Sequence, residues 1–108
     1  MKHEVMCARI EGIFKQVLKT HKEGQREYAR DVDDVFANFK RVADFADITK
    51  EKAALTYLIK HIDGIAAHVN GHRSQREGVR GRLTDAITYL CILWGMFDEA
   101  ECDERIDS

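Results

Sequence analysis

Apolar residues return every three or four positions in four stretches of this chain, and each return marks one face of a helix. In the first stretch Met6, Ile10, Ile13, Phe14, Val17 and Leu18 share a face that Lys15, Lys19 and Lys22 avoid, which predicts a helix from about Lys2 to Lys22, ended by Gly24. Val32, Val35, Phe36, Phe39, Val42, Ala43 and Ala46 form a second stripe up to about Ala46. A third helix starts at Thr49, whose hydroxyl suits a free first-turn amide. It carries Ala54, Leu55, Leu58, Ile59, Ile62, Ile65, Ala66 and Val69 and stops at Asn70-Gly71.

The fourth stretch, Ser74 to Phe97, has the densest apolar content. Ser74 with Glu77 three residues on reads as a capping box, the serine oxygen taking a free amide and the glutamate reaching back to the cap. Val79, Leu83, Ala86, Ile87, Leu90, Leu93, Trp94 and Phe97 follow at helical spacing. Tyr89, Cys91, Ile92 and Met96 fill the gaps, so this helix is expected to be buried on several sides. With no proline in 108 residues, long helices go uninterrupted. The expectation is an all-α, compact four-helix bundle-like domain over residues 1–97, with a buried C-terminal helix and an acidic tail at 98–108. Apolar faces in excess of what four short helices cover also predict a homo-oligomer joined through Trp94 or its neighbours.

The apolar run from Ala86 to Phe97 is about twelve residues, short of the roughly twenty of a membrane span. The N-terminus lacks the apolar centre of an export signal. Cys7, Cys91 and Cys102 are odd in number and have no CxxC spacing, which argues against a disulfide framework or zinc site and for a reducing cytosol. They read as core or idle thiols. The net charge of −2 hides an asymmetry, because residues 98–108 hold six acids against Arg105 while the rest of the chain is basic. A basic body with an acidic tail points to a polyanionic partner, with the tail competing for the site or docking another protein.

Two constellations carry candidate chemistry. The basic one clusters His68, His72, Arg73, Arg76, Arg80 and Arg82 about the last interhelical turn, with Glu77 the only acid among them; Lys40, Arg41, Lys60 and His61 add to it. Guanidinium groups bind phosphate bidentately, and Tyr28, Phe39 and Tyr57 offer rings on which bases of a single strand could stack. The acidic one places Glu27, Asp31 and Asp34 on one helical face, with Asp63 and Asp85 on later helices, as ligands for Mg²⁺. Asp85 stands among apolar residues and needs a partner such as Lys60, Arg82 or Arg41. Eight residues of helix would hold Glu77 about 12 Å from Asp85 along the axis, too far to share an ion. Neither GxSxG, nor a glycine-rich phosphate loop, nor HExxH is present.

The order EYARDVDDVFANFKRVA, YLIKHIDGIAAHVNG, SQREGVRGRLTDAITYLCILWG resembles small all-helical bacteriophage proteins over residues 27 to 97. It is distantly similar to MazG-like nucleoside triphosphate pyrophosphohydrolases and to nucleotide-modification-associated helical proteins. The MazG-like resemblance implies an ExxE pair on one helix and an ExxD pair on another, holding Mg²⁺ against nucleotide phosphates. This chain keeps Asp31 and Asp34 as a similar pair, whereas Arg82 stands three residues ahead of Asp85. On sequence alone the first expectation is a cytoplasmic, phage-type protein that binds single-stranded DNA without sequence preference and needs no cofactor. Its contacts would be Lys40, Arg41, Lys60, Arg73, Arg76, Arg80 and Arg82. The alternative is a Mg²⁺-dependent pyrophosphohydrolase using Asp31, Asp34, Asp63 and Asp85.

Overall fold

A computed structural model of the chain describes residues 1–28, 33–73 and 76–107, without the side chains of 28 and 104–107. It holds four helices, α1 (His3–Tyr28), α2 (Ala37–Ala46), α3 (Lys50–Val69) and α4 (Val79–Asp107), and the described residues form no strand. α3 and α4 form an antiparallel hairpin, the most extensive helix pairing of the chain; α2 packs on α3 and α1 on α4. Helix packing of this kind is the all-α, bundle-like architecture that the periodicity predicts.

Local chemistry sets most boundaries. Thr49 Oγ1 accepts from the Lys52 amide at 3.1 Å and caps α3. α3 ends where Gly71 takes a φ of 96°, letting its amide reach the His68 carbonyl and that of His72 reach the Ala67 carbonyl. α2 stops at Asp47, whose left-handed backbone (φ 55°) returns its amide to Ala43. α1 runs past Gly24 to Tyr28, because a glycine ends a helix only where a positive φ is used, and Gly24 keeps helical angles.

α4 departs from expectation at both ends. It begins at Val79, and Glu77 lies ahead of it in a bend; Ser74, the other half of the expected capping box, falls outside the described residues. At the far end the acids of 98–107 continue the helix. α4 is also not buried on several sides. Ala86, Leu93 and Met96 are buried, whereas Leu83, Leu90, Trp94 and Phe97 on the adjoining arc are exposed.

The core lies between α2, α3 and α4, where Phe36, Phe39, Ala53, Ala54 and Leu58 meet Ala86, Leu93 and Met96. Alanines at 53 and 54 let the helices approach, and the Phe36 ring lies 3.4 Å from where a Cβ on Gly95 would stand. Met96 is fully buried, and its truncation to alanine would cost about 2–5 kcal/mol. Cys7, Cys91 and Cys102 are free and exposed, so none of the three is a core thiol. Among the described residues no helix is long and apolar enough to cross a membrane.

Candidate functional site

Tyr57, His61 and Gly64 recur at four and three along α3, and Arg82, Asp85 and Tyr89 at three and four along α4, so the helix hairpin brings the two rows face to face. Tyr57 stacks on Tyr89 with ring centres 5.9 Å apart, and Tyr89 stacks on His61 at 5.6 Å. Phe39 of α2 meets both tyrosines edge-on at about 6 Å. Such ring pairs add about 0.5–1.5 kcal/mol each beyond the area they bury, and they fix the imidazole plane.

Beside that stack, His61 Nε2 lies 3.7 Å from an Asp85 carboxylate oxygen. Glu77, free of the helix because α4 starts two residues later, turns its carboxyl along α4 past Gly81 toward Asp85. One ligand atom from each of His61, Glu77 and Asp85 lies within 4.8 Å of the others. The expected 12 Å separation of Glu77 and Asp85 is therefore wrong, since it assumed that both residues were helical. Burial first, then the hydrogen bond and negative charge of Glu77, raise the Asp85 carboxyl above its ordinary pKa; His61 and Arg82 oppose the shift. Arg82 lies across α3 at Gly64, where any Cβ would overlap its side chain. Two buried nitrogens, His61 Nδ1 and Arg82 Nε, have no hydrogen-bond partner among the described residues.

Asp85 also belongs to the wall of a cavity of about 540 Å³. Thr20, His21, Gly24 and Gln25 of α1, Val35, Asn38 and Phe39 at and before α2, Tyr57 of α3, and Thr88, Tyr89 and Ile92 of α4 complete it. The volume is that of a small-molecule site, with aromatic faces and a few amide and hydroxyl groups on one lining.

The expected ligands are distributed otherwise. Asp34 accepts from the Phe36 amide at 2.9 Å and from Lys40 Nζ at 2.7 Å, and the Lys40 hydrogen bond, followed by the Phe36 amide, holds its carboxyl below the ordinary value. Asp63 is exposed on α3, and Asp31 lies outside the described residues. Among the described residues Asp85 joins His61 and Glu77, and the group includes neither Asp34 nor Asp63. The charges that shift the Asp85 carboxyl include those of Glu77, His61 and Arg82.

Of the basic residues, Lys40 is paired with Asp34, Arg73 hydrogen-bonds His68, and Arg82 is half-buried. Arg41, Lys60, Arg76 and Arg80 are exposed. The proposed stacking rings are not free for a strand, since Phe39 is buried and Tyr57 is stacked on Tyr89; the Tyr28 side chain lies outside the described residues. From the sequence His61 reads as part of the basic set and Glu77 as a cap. The matching four-and-three spacings of Tyr57, His61, Gly64 and of Arg82, Asp85, Tyr89 were the signal in the chain that pointed to the site. No family model, curated protein or solved structure matches the chain, so its reading rests on this geometry and on the sequence resemblance.

Proposed function

We propose that the α3–α4 face and the adjoining cavity form the nucleotide site of a metal-dependent nucleoside triphosphate pyrophosphohydrolase. Asp85 carries this reading, because it belongs at once to the His61–Glu77–Asp85 group and to the wall of the cavity. An imidazole with two carboxylates suits a divalent ion of the manganese or zinc kind as well as, or better than, magnesium. Bound there, the ion would neutralise phosphate charge and acidify a coordinated water. Arg82 adds a fixed positive charge beside Asp85, Tyr57 and Tyr89 offer a flat wall, and Asn38, Gln25 and Thr88 offer hydrogen-bonding groups for a heterocycle edge. The ligand set differs from the one the sequence suggested, and the resemblance to MazG-like proteins agrees with the substrate class.

The test is release of pyrophosphate from mixed nucleoside triphosphates with Mg²⁺ or Mn²⁺. Turnover is expected, with Asp85→Asn and Glu77→Gln each losing roughly two orders of magnitude or more at unchanged helical content. A wild type with no turnover, and no shift in melting temperature with any nucleotide, would remove the reading.

A second reading, single-stranded DNA binding through the α3–α4 turn, has its own observation. Because Glu77 faces Asp85, the one acid of the turn is withdrawn from Arg73 and Arg76, which stay exposed at its surface. Labelled single strands titrated across a salt series distinguish it from the first.

A further inference from the structure

Leu83, Leu90, Trp94 and Phe97 follow one another along α4 at seven, four and three residues, the spacing of a coiled-coil seam. All four are exposed, at 44, 54, 72 and 55% respectively. The chain as a whole exposes 8506 Å², against about 6,100 Å² for a compact monomer of its mass. Its radius of gyration is 16.1 Å, where about 13 Å is usual for this length. The surplus, which the exposed Ile10, Phe14 and Leu18 of α1 share with the α4 arc, is of the size of the roughly 1,000–2,500 Å² that each protomer of an obligate homodimer contributes.

From this we infer that the exposed arc of α4 pairs with the same arc of a second copy, antiparallel about a two-fold axis near Leu90. Charge selects the antiparallel sense. The N-terminal part of α4 carries Arg80 beside the seam and its C-terminal part carries Asp98 and Glu101, all exposed and with no ion pair among the described residues. With Leu90 on the axis, Leu83 of one copy stands level with Phe97 of the other, and Arg80 within one residue, about 1.5 Å of rise, of Glu101. A parallel pairing would instead set the two acidic ends against each other. Leu90, Leu93, Trp94 and Phe97, with Asp98 and Glu101 at the rim, line a groove of about 440 Å³ into which Leu83 of the second copy fits. A two-fold axis makes every such contact twice, which is how one self-complementary helix face closes a dimer without growing a filament. The pairing does not depend on the nucleotide reading.

Sedimentation velocity of the full chain at micromolar concentration should give twice the 12.4 kDa chain mass. Trp94, the one tryptophan, should shift its emission to the red on dilution as the seam opens. Leu90→Glu should yield a folded monomer, because its side chain is outside the protomer core. Arg80→Glu or Glu101→Arg alone should weaken dimerisation severalfold, and the two together should restore it. A wild-type monomer at these concentrations overturns the inference, including one that binds anionic vesicles through the same face. A dimer unaffected by Leu90→Glu, or charge reversals that do not rescue each other, overturns the antiparallel α4 seam.

Discussion

The Glu77 carboxyl lies within 4.8 Å of Asp85 from two residues ahead of α4, so that the group expected to cap the helix instead reaches one well inside it. Two carboxylates in contact repel unless a proton, a cation or both lie between them. In this chain the neighbours that offset them are His61, at 3.7 Å from Asp85, and Arg82. That relationship governs how the protein should respond to pH and to metals.

Asp85 has a folded-state pKa above its ordinary 3.8. For a raised carboxyl the folded state holds the extra proton, so its favourable contribution is full below the ordinary value and is lost as pH rises through the folded one. Asp85→Asn should therefore raise the metal-free melting temperature at pH 7 and leave it little changed near pH 3.5. Each ~1 kcal/mol relieved would appear as about 4–8 °C. Melting curves at the two pH values check this, and a loss of stability at pH 7 would show that the His61 contact outweighs the repulsion.

Divalent cations should act on the same pair. Mn²⁺ is expected to stabilise the wild type over a chelator-treated sample, by about 2.7 kcal/mol at a hundredfold excess over its dissociation constant. Glu77→Gln and His61→Ala should each lose most of that gain. Thermal melts with and without Mn²⁺ read the effect apart from any turnover, and equal gains in wild type and variants would place binding elsewhere.

Gly64 offers a test of the Arg82 placement. A Cβ there would overlap the end of the flexible Arg82 side chain, which has to swing aside, so Gly64→Ala should gain less than the ~0.5–1 kcal/mol that alanine ordinarily brings to a helix interior. In an Arg82→Ala background the overlap is gone, and the same change should stabilise by about 0.5–1 kcal/mol, the ordinary preference of a helix interior for alanine. Denaturant unfolding of the four variants gives the cycle, and an equal effect in the two backgrounds would contradict the packing described.

For the basic turn, replacing Arg73 and Arg76 by alanine should weaken single-strand binding and reduce its salt dependence by about 0.7 log units of slope for each phosphate that is no longer neutralised. Arg80 is left in place because the α4 seam uses it. The same affinity and slope in the variant would mark the two arginines as ordinary surface and leave the nucleotide reading alone in the field.

The number and kind of elements, and several of their ends, were legible in the chain itself. Periodicity at three and four marks a helical face whatever packs on it, and the Thr49 cap and the Asn70-Gly71 stop are chemistry between residues a few positions apart. Whatever depended on distant partners was settled only by packing. Gly24 continues α1 because no local turn requires its freedom, and the apolar arc of α4 divides into a buried and an exposed half because α1, α2 and α3 cover only part of it. The site was least legible. Its members lie on two helices and in the bend before α4, and Glu77 takes part only because α4 starts at Val79. A helix boundary displaced by a few residues thus converted a supposed cap into a neighbour of Asp85, a change invisible to any pattern that assumed the helix was already running.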